Sequence, residues 1–348
     1  MIEQYLIGTY TKSTSEGIYQ LDLDTENGQL QNLQFVAPAG NPTYLAESNA
    51  KYLYAIDKET DSQTDQTKGG ILVFNLNHSH FPLDHQQKLL DAPTSPAYLA
   101  IDEARQLLLA ANYHAGTVTT YKINSDGNVK LVDQITDTGE LGPRPEQQNG
   151  PHPHYMDLTP DNRIVTVDLG LDKVYLYSVS SNGNLTLDSE LQMPSGYGPR
   201  HIVFDKQRST AYLVGELSSQ LAVLDYQDTL SIKQIISTIP EDFTDHNGAA
   251  AIRMSSDGRY VYVSNRGYNS IAVFAVDDQN QIKLIQQIST EGDFPRDFNF
   301  SHDESYIICV NQNSDNATLY KRNVQDGKLK LIQKDFIVPE GVSVYPKK

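Results

Sequence analysis

Apolar and polar positions alternate with a period of two along most of the chain, and no stretch sustains a helical period. The alternating runs recur as a unit. Each copy opens Pro-x-x-apolar-x-apolar, passes a polar turn, and continues into a second and a third β-rich run. The starts are Pro42 (PTYLAE), Pro96 (PAYLAI), Pro153 (PHYMDL), Pro199 (PRHIVF) and Pro295 (PRDFNF), with Ala249 opening a copy that lacks the proline (AAAIRM). Second runs read YLYAID, LLLAAN, RIVTVD, AYLVGE, YVYVSN and YIICVN, and third runs follow as ILVFNL through ATLYKRN. A repeat of roughly 50 residues that holds four strands is the signature of a propeller blade.

A seventh start, Pro339 (PEGVSV), lies close to the C-terminus with no strands after it. The N-terminus supplies the missing pieces, Tyr5–Thr9 as second strand and Gly17–Leu21 as third. The sequence therefore predicts an all-β, seven-bladed β-propeller with four-stranded blades. Residues 1–348 form one domain, and strands from both chain ends close the last blade. Such closure hides the edges that an open sheet would expose. Turn chemistry agrees. Asn27-Gly28, Asp126-Gly127, Asn182-Gly183 and Asp326-Gly327 separate third from fourth strands, and these dipeptides are strong hairpin signals. Two segments break the regularity. Residues 57–70 (DKETDSQTDQTKGG) are expected to be a flexible surface loop, and residues 135–154, rich in Gly, Pro and His, a long functional or disordered loop.

Composition narrows the partners. The net charge of −17, from 44 acidic and 27 basic residues, argues against nucleic-acid or anionic-membrane binding. A small anion needs only a local positive site. The single cysteine, Cys309, excludes an intrachain disulfide and sits in the apolar run YIICV, where a buried core residue is expected. No charged segment followed by a long apolar stretch opens the chain, so a cytoplasmic protein is expected. No G-x-S-x-G elbow, P-loop, G-x-G-x-x-G or H-E-x-x-H occurs, and His152-Pro153-His154 lacks the further Cys or His of a tetrahedral site. No metal or cofactor is expected.

Topology puts the chemistry on one face. In an antiparallel pair the start of one strand and the end of the next share one end of the sheet. The residue after each repeat start should then ring the mouth of the central channel: Thr43, Ala97, His154, Arg200, Ala250, Arg296 and Glu340. Seventeen positions after the start, the second-strand exits give Tyr113, Gly170, Glu216, Arg266 and Gln312, with Asn112, His114 and Asn265 beside them. Arg144, His152 and His201 add to the same region. An acidic chain that gathers Arg and His at one mouth suggests an anion pocket, because Arg forks match carboxylate and phosphate. Glu216 and Arg266, equivalent positions of neighbouring blades, could equally form a structural ion pair.

Several segments resemble those of bacterial 6-phosphogluconolactonases of the propeller type, whose superfamily includes fungal carboxymuconate lactonizing enzymes. They are Gly8-Thr9-Tyr10-Thr11, Asn112-Tyr113-His114-Ala115-Gly116, Gly150-Pro151-His152-Pro153-His154, Gly198-Pro199-Arg200-His201, Gly215-Glu216 and Ser264-Asn265-Arg266-Gly267. The resemblance spans Gly8 to Val344 and implies hydrolysis of an anionic lactone, 6-phospho-glucono-1,5-lactone first, at the channel mouth. It carries His154, Arg200, Glu216 and Arg266 over as the catalytic set. His152, His201, Arg144, Arg296, Asn265, His114 and Asn112 are the expected substrate contacts. Glu216 is one candidate base, but two flanking Arg would lower its pKa, in which case it would orient an Arg while His154 takes the proton. A muconolactone-like substrate and a protein-binding propeller are the alternatives.

Overall fold

Each predicted start opens an innermost strand in the computed structural model, which describes residues 1–77 and 80–348. Blade 1 has Gly341–Pro346 innermost, followed outward by Ile2–Thr9, Gly17–Asp24 and Gln29–Pro38. The innermost strands of blades 2 to 7 are Leu45–Glu47, Tyr98–Asp102, Pro153–Leu158, Pro199–Asp205, Gly248–Met254 and Pro295–Phe300. All seven sheets are four-stranded and antiparallel. Each innermost strand touches the innermost strands of both neighbouring blades, so the ring is closed. The closing pairing joins the two ends of the chain, with Tyr5 opposite Pro346 and Gly8 opposite Ser343.

Burial follows position in the blade. Second and third strands are almost wholly buried, because blades stack on both of their faces, whereas outermost strands such as Leu185–Gln192 are mostly exposed or half-buried. Tyrosines join the blades. The Gly127 turn of blade 3 lies on the Tyr52 ring of blade 2, and a Cβ on Gly127 would come within 2.3 Å of that ring. Tyr54 donates its hydroxyl to Gly127 O (2.9 Å), and Tyr262 does the same to Gly327 O (2.7 Å) between blades 6 and 7. Cys309 is buried in the core, as expected.

Two expectations are corrected. Residues 57–70 are mostly an extended hairpin, since Asp57 to Thr60 pair with Gly70 to Thr67 in register. Polar composition disguised it. Strands that project beyond the neighbouring blades need no apolar face. Residues 135–154 are ordered around a single turn of 3-10 helix, Pro145–Gln147, anchored where Gln147 donates to Leu169 O and Asp172. Among the described residues no helix is long and apolar enough to cross a membrane.

Candidate functional site at the channel mouth

β-Bulges aim the first ring of side chains. Pairing of the innermost strand slips between Pro153 and Tyr155, between Pro199 and His201, and between Pro295 and Asp297. His154, Arg200 and Arg296 are the extra, unpaired residues. A bulge bends its strand and re-aims a side chain, and here the same device recurs in three blades. His154 and Arg296 line a hollow of about 350 Å³ together with Glu216, Arg266, Tyr113 and His114. Of the expected basic residues, His154, Arg266, Arg296 and His114 share this hollow, whereas Arg200 lies outside it.

Glu216 is the centre of this cluster. Its Oε2 lies 2.9 Å from Arg200 Nε and 2.9 Å from Arg266 Nη2. Neither contact to Oε2 is aligned as a hydrogen bond, so the attraction is mainly Coulombic. The guanidiniums are also tied to the backbone. Arg200 donates to Ala250 O (2.8 Å), and Arg266 donates to Gly248 O (3.1 Å) and Ala249 O (3.3 Å). Burial pushes the Glu216 pKa up, but Arg266, Arg200 and Arg296 together outweigh it, and the carboxyl ends below its ordinary value. His154 is buried, and burial followed by Arg200 and Arg296 holds it well below an ordinary histidine. It is neutral at pH 7, and its Nδ1 has no hydrogen-bond partner.

Other candidates lie outside this hollow. Asn112 donates to Thr119, and Asn265 bonds Thr238 and Ser270, so both tie strands together. They precede Tyr113 and Arg266, and the period of two turns them away from the mouth. His152 stacks on Tyr113 with ring centres 4.3 Å apart and puts Nδ1 2.9 Å from Tyr113 O, so it supports a lining residue instead of reaching the cavity. Arg144 is exposed, donates to Gly196 O (2.8 Å) and borders an adjacent hollow that shares the Glu216–Arg266 wall. His201 points down the channel into a cluster of Tyr44, Tyr98 and Tyr155. That cluster borders a second hollow of about 370 Å³ at the far end of the channel.

The sequence reading missed Tyr10, Lys12, Asn41 and Lys58, which also line the mouth. Lys12 Nζ lies 4.1 Å and Arg296 Cζ 5.6 Å from the centre of the Tyr10 ring. A signal existed, because Tyr10 immediately follows the second strand of blade 1. The offset that finds Glu216 lands in blade 2 on Glu59, one residue past Lys58. Glu340, the seventh ring residue, turns aside. Its carboxylate accepts backbone N–H groups of Lys12, Ser13, Thr14 and Ser15 at 3.0–3.2 Å.

Comparison with known proteins adds three relatives and one family. The family described as "Lactonase, 7-bladed beta-propeller" matches residues 4–346. The 6-phosphogluconolactonase of Bacillus subtilis is 39% identical, covering 97% of this chain and 96% of that protein. A protein from Lactobacillus plantarum of known crystal structure is 51% identical with a TM-score of 0.95, covering 100% of both chains. The periplasmic gluconolactonase of Pseudomonas aeruginosa is 28% identical with a TM-score of 0.90, covering 99% of this chain and 98% of that one.

Proposed function

The chain belongs to the seven-bladed β-propeller lactonase family, and on that premise we propose that it hydrolyses a sugar lactone, 6-phospho-glucono-1,5-lactone, to the open acid. The observation that carries this reading is the pair of buried guanidiniums held by one carboxylate beside a neutral histidine. Opening a lactone needs an acceptor for the proton of the attacking water and a counter-charge for the carbonyl oxygen as it becomes anionic. A positioned base contributes about 10²–10⁴-fold, and preorganised donors at the oxyanion about 3–4 kcal/mol each.

In this reading His154 takes the proton. Glu216, its pKa depressed by the two guanidiniums, is a poor base and holds Arg200 and Arg266 in place. The guanidiniums face the developing oxyanion, and the proton then passes to the ring oxygen that leaves. The same positive field that keeps His154 neutral weakens it as a base. An anionic substrate cancels part of that field, so binding raises the basicity of His154 when it is needed.

The test is turnover of freshly generated 6-phosphogluconolactone, followed through coupled oxidation of 6-phosphogluconate with the spontaneous rate subtracted. Acceleration by the wild-type chain that His154→Asn and Arg266→Ala both lose supports the reading. Acceleration retained by both variants removes the site, and none by wild type removes the reaction.

A further inference from the structure

Three cations at the mouth have no acidic partner. Among the described residues Lys12, Lys58 and Arg296 enter no ion pair, although the chain carries 44 acidic residues against 27 basic ones. The nearest candidates are engaged elsewhere. Asp57 and Glu59, which flank Lys58, both pair with Lys88. Glu340, beside the Lys12 loop, is taken up by four backbone N–H groups. Other lysines also lack an ion pair, but these three converge on one hollow beside Tyr10, and such a concentration of positive charge in a cleft favours an external anion.

Their placement around the ring is ordered. Arg296 belongs to blade 7, Lys12 follows the second strand of blade 1, and Lys58 lies on the second strand of blade 2. Those three blades are consecutive across the closure. His154, the Arg200–Glu216 pair and Arg266 belong to blades 4, 5 and 6, also consecutive, on the other side of the channel. His154, Glu216 and Arg266 line one hollow with Lys12, Lys58 and Arg296, with Tyr113 and His114 of blade 3 between them, while Arg200 borders a separate small space beside His201. Glu216 and Arg266 also border the adjacent hollow, whereas Lys12, Lys58 and Arg296 do not.

We infer that Lys12, Lys58 and Arg296 form a phosphate subsite over Tyr10 that makes this chain prefer phosphorylated over neutral lactones. The inference rests on the lactonase reading above and names what that site selects. Charge supports phosphate over a single carboxylate. A phosphate monoester carries about −1.5 to −2 at neutral pH, which three cations can balance. Arg296 supplies a planar fork and the two lysines supply compact charges on flexible stems. The Tyr10 ring underneath holds Lys12 and Arg296 by cation–π contact, and among the described residues its hydroxyl has no hydrogen-bond partner. That leaves a phenol free to donate to a phosphate oxygen. Glu340 acts as a positioning residue because it gathers the loop that carries Lys12.

The experiment compares kcat/KM for 6-phosphogluconolactone and for glucono-1,5-lactone in the wild type and in Lys12→Ala, Lys58→Ala and the double variant. Each exposed cation is worth about fivefold. The ratio of phosphorylated to neutral efficiency should therefore fall on the order of 20-fold in the double variant, through KM. Equal losses on both lactones, or an unchanged ratio, overturn the subsite. Calorimetric titration with 6-phosphogluconate and with inorganic phosphate separates this result from failure of the lactonase reading. If the wild type opens neither lactone but binds both anions, and the double variant binds neither, the subsite stands without the reaction. If the wild type binds neither anion, the subsite fails whatever the turnover.

Discussion

Arg200 and Arg266 approach the same carboxylate oxygen, Oε2 of Glu216, each to 2.9 Å. Two buried positive charges therefore depend on one negative charge, and a surplus of one remains at the edge of the cavity. Glu216→Gln should keep the shape but loosen both guanidiniums, lowering kcat about 10²-fold or more with a smaller change in KM. Glu216→Ala should also destabilise the fold by about 3–5 kcal/mol, because it removes the counter-charge that both buried guanidiniums face. Steady-state kinetics and urea unfolding of the two variants distinguish these effects.

The depressed pKa of His154 predicts a pH profile with two different limbs. In the free enzyme burial, Arg200 and Arg296 hold the imidazole well below its ordinary value. The acid limb of kcat/KM that belongs to the enzyme should therefore lie well below that of an ordinary histidine. Bound phosphate offsets the cations, so the limb of kcat should lie at higher pH, since kcat reports the complex. His154→Asn should remove both limbs and about 10²–10⁴-fold of the rate. Coincident limbs near pH 6.5 would count against His154 as proton acceptor.

Removing the Glu340 carboxylate should act at a distance. Glu340→Ala frees the four N–H groups that hold residues 12–15. The KM for the phosphorylated lactone should rise about fivefold with kcat nearly constant. Glu340→Gln, which keeps one acceptor oxygen, should recover part of the loss. A fall in kcat instead would mean that the loop serves the reacting half.

A buried acid pair away from the mouth predicts the pH dependence of stability. Burial, then the neighbouring Asp168, pushes the Asp137 carboxyl well above the carboxylate range, and neither of its oxygens accepts a hydrogen bond. The folded chain thus holds a proton that the unfolded chain releases at about pH 3.9. This contribution is full below that pH and is lost as pH rises through the folded-state value. Asp137→Asn can donate to the unpartnered Asp168 Oδ2 without a titrating proton. It should stabilise by about 1 kcal/mol at pH 8 and change little at pH 4, as thermal unfolding at the two values would show.

The turns between blades should be intolerant of small changes. Gly127 has φ 82°, and a side chain there would meet the Tyr52 ring. Gly127→Ala should cost about 2 kcal/mol or more from the positive φ and the clash together. Tyr262→Phe, which orphans Gly327 O and a partner of Arg322, should cost about 1–3 kcal/mol. Calorimetric melting of both variants checks this.

Residues tied to the repeat were legible in the sequence, and residues outside it were not. Six Pro-x-x starts and the proline-free start at Ala249 located the innermost strands, and their bulged neighbours His154, Arg200 and Arg296 followed by position. Glu216 and Arg266 were found by the same counting, although which of Glu216 and His154 acts as base depends on a carboxylate shared by two guanidiniums, which spacing does not show. Asn112 and Asn265 looked equally well placed, but one step of strand alternation turns them inward. Lys12 and Lys58 escaped because blades 1 and 2 are irregular. One is assembled from both chain ends, and the other lengthens its hairpin beyond the neighbouring blades.

The pairing of Ile2–Thr9 with Gly341–Pro346 couples closure of the ring to the proposed phosphate grip. The Lys12 loop hangs on Glu340, which stands one residue before the strand that closes blade 1. Fraying of that strand would slacken the loop, while His154, Glu216 and Arg266 stay on blades 4 to 6 with their own innermost strands. Loosening at the seam would therefore show first as weaker substrate binding, ahead of any loss in the chemical step.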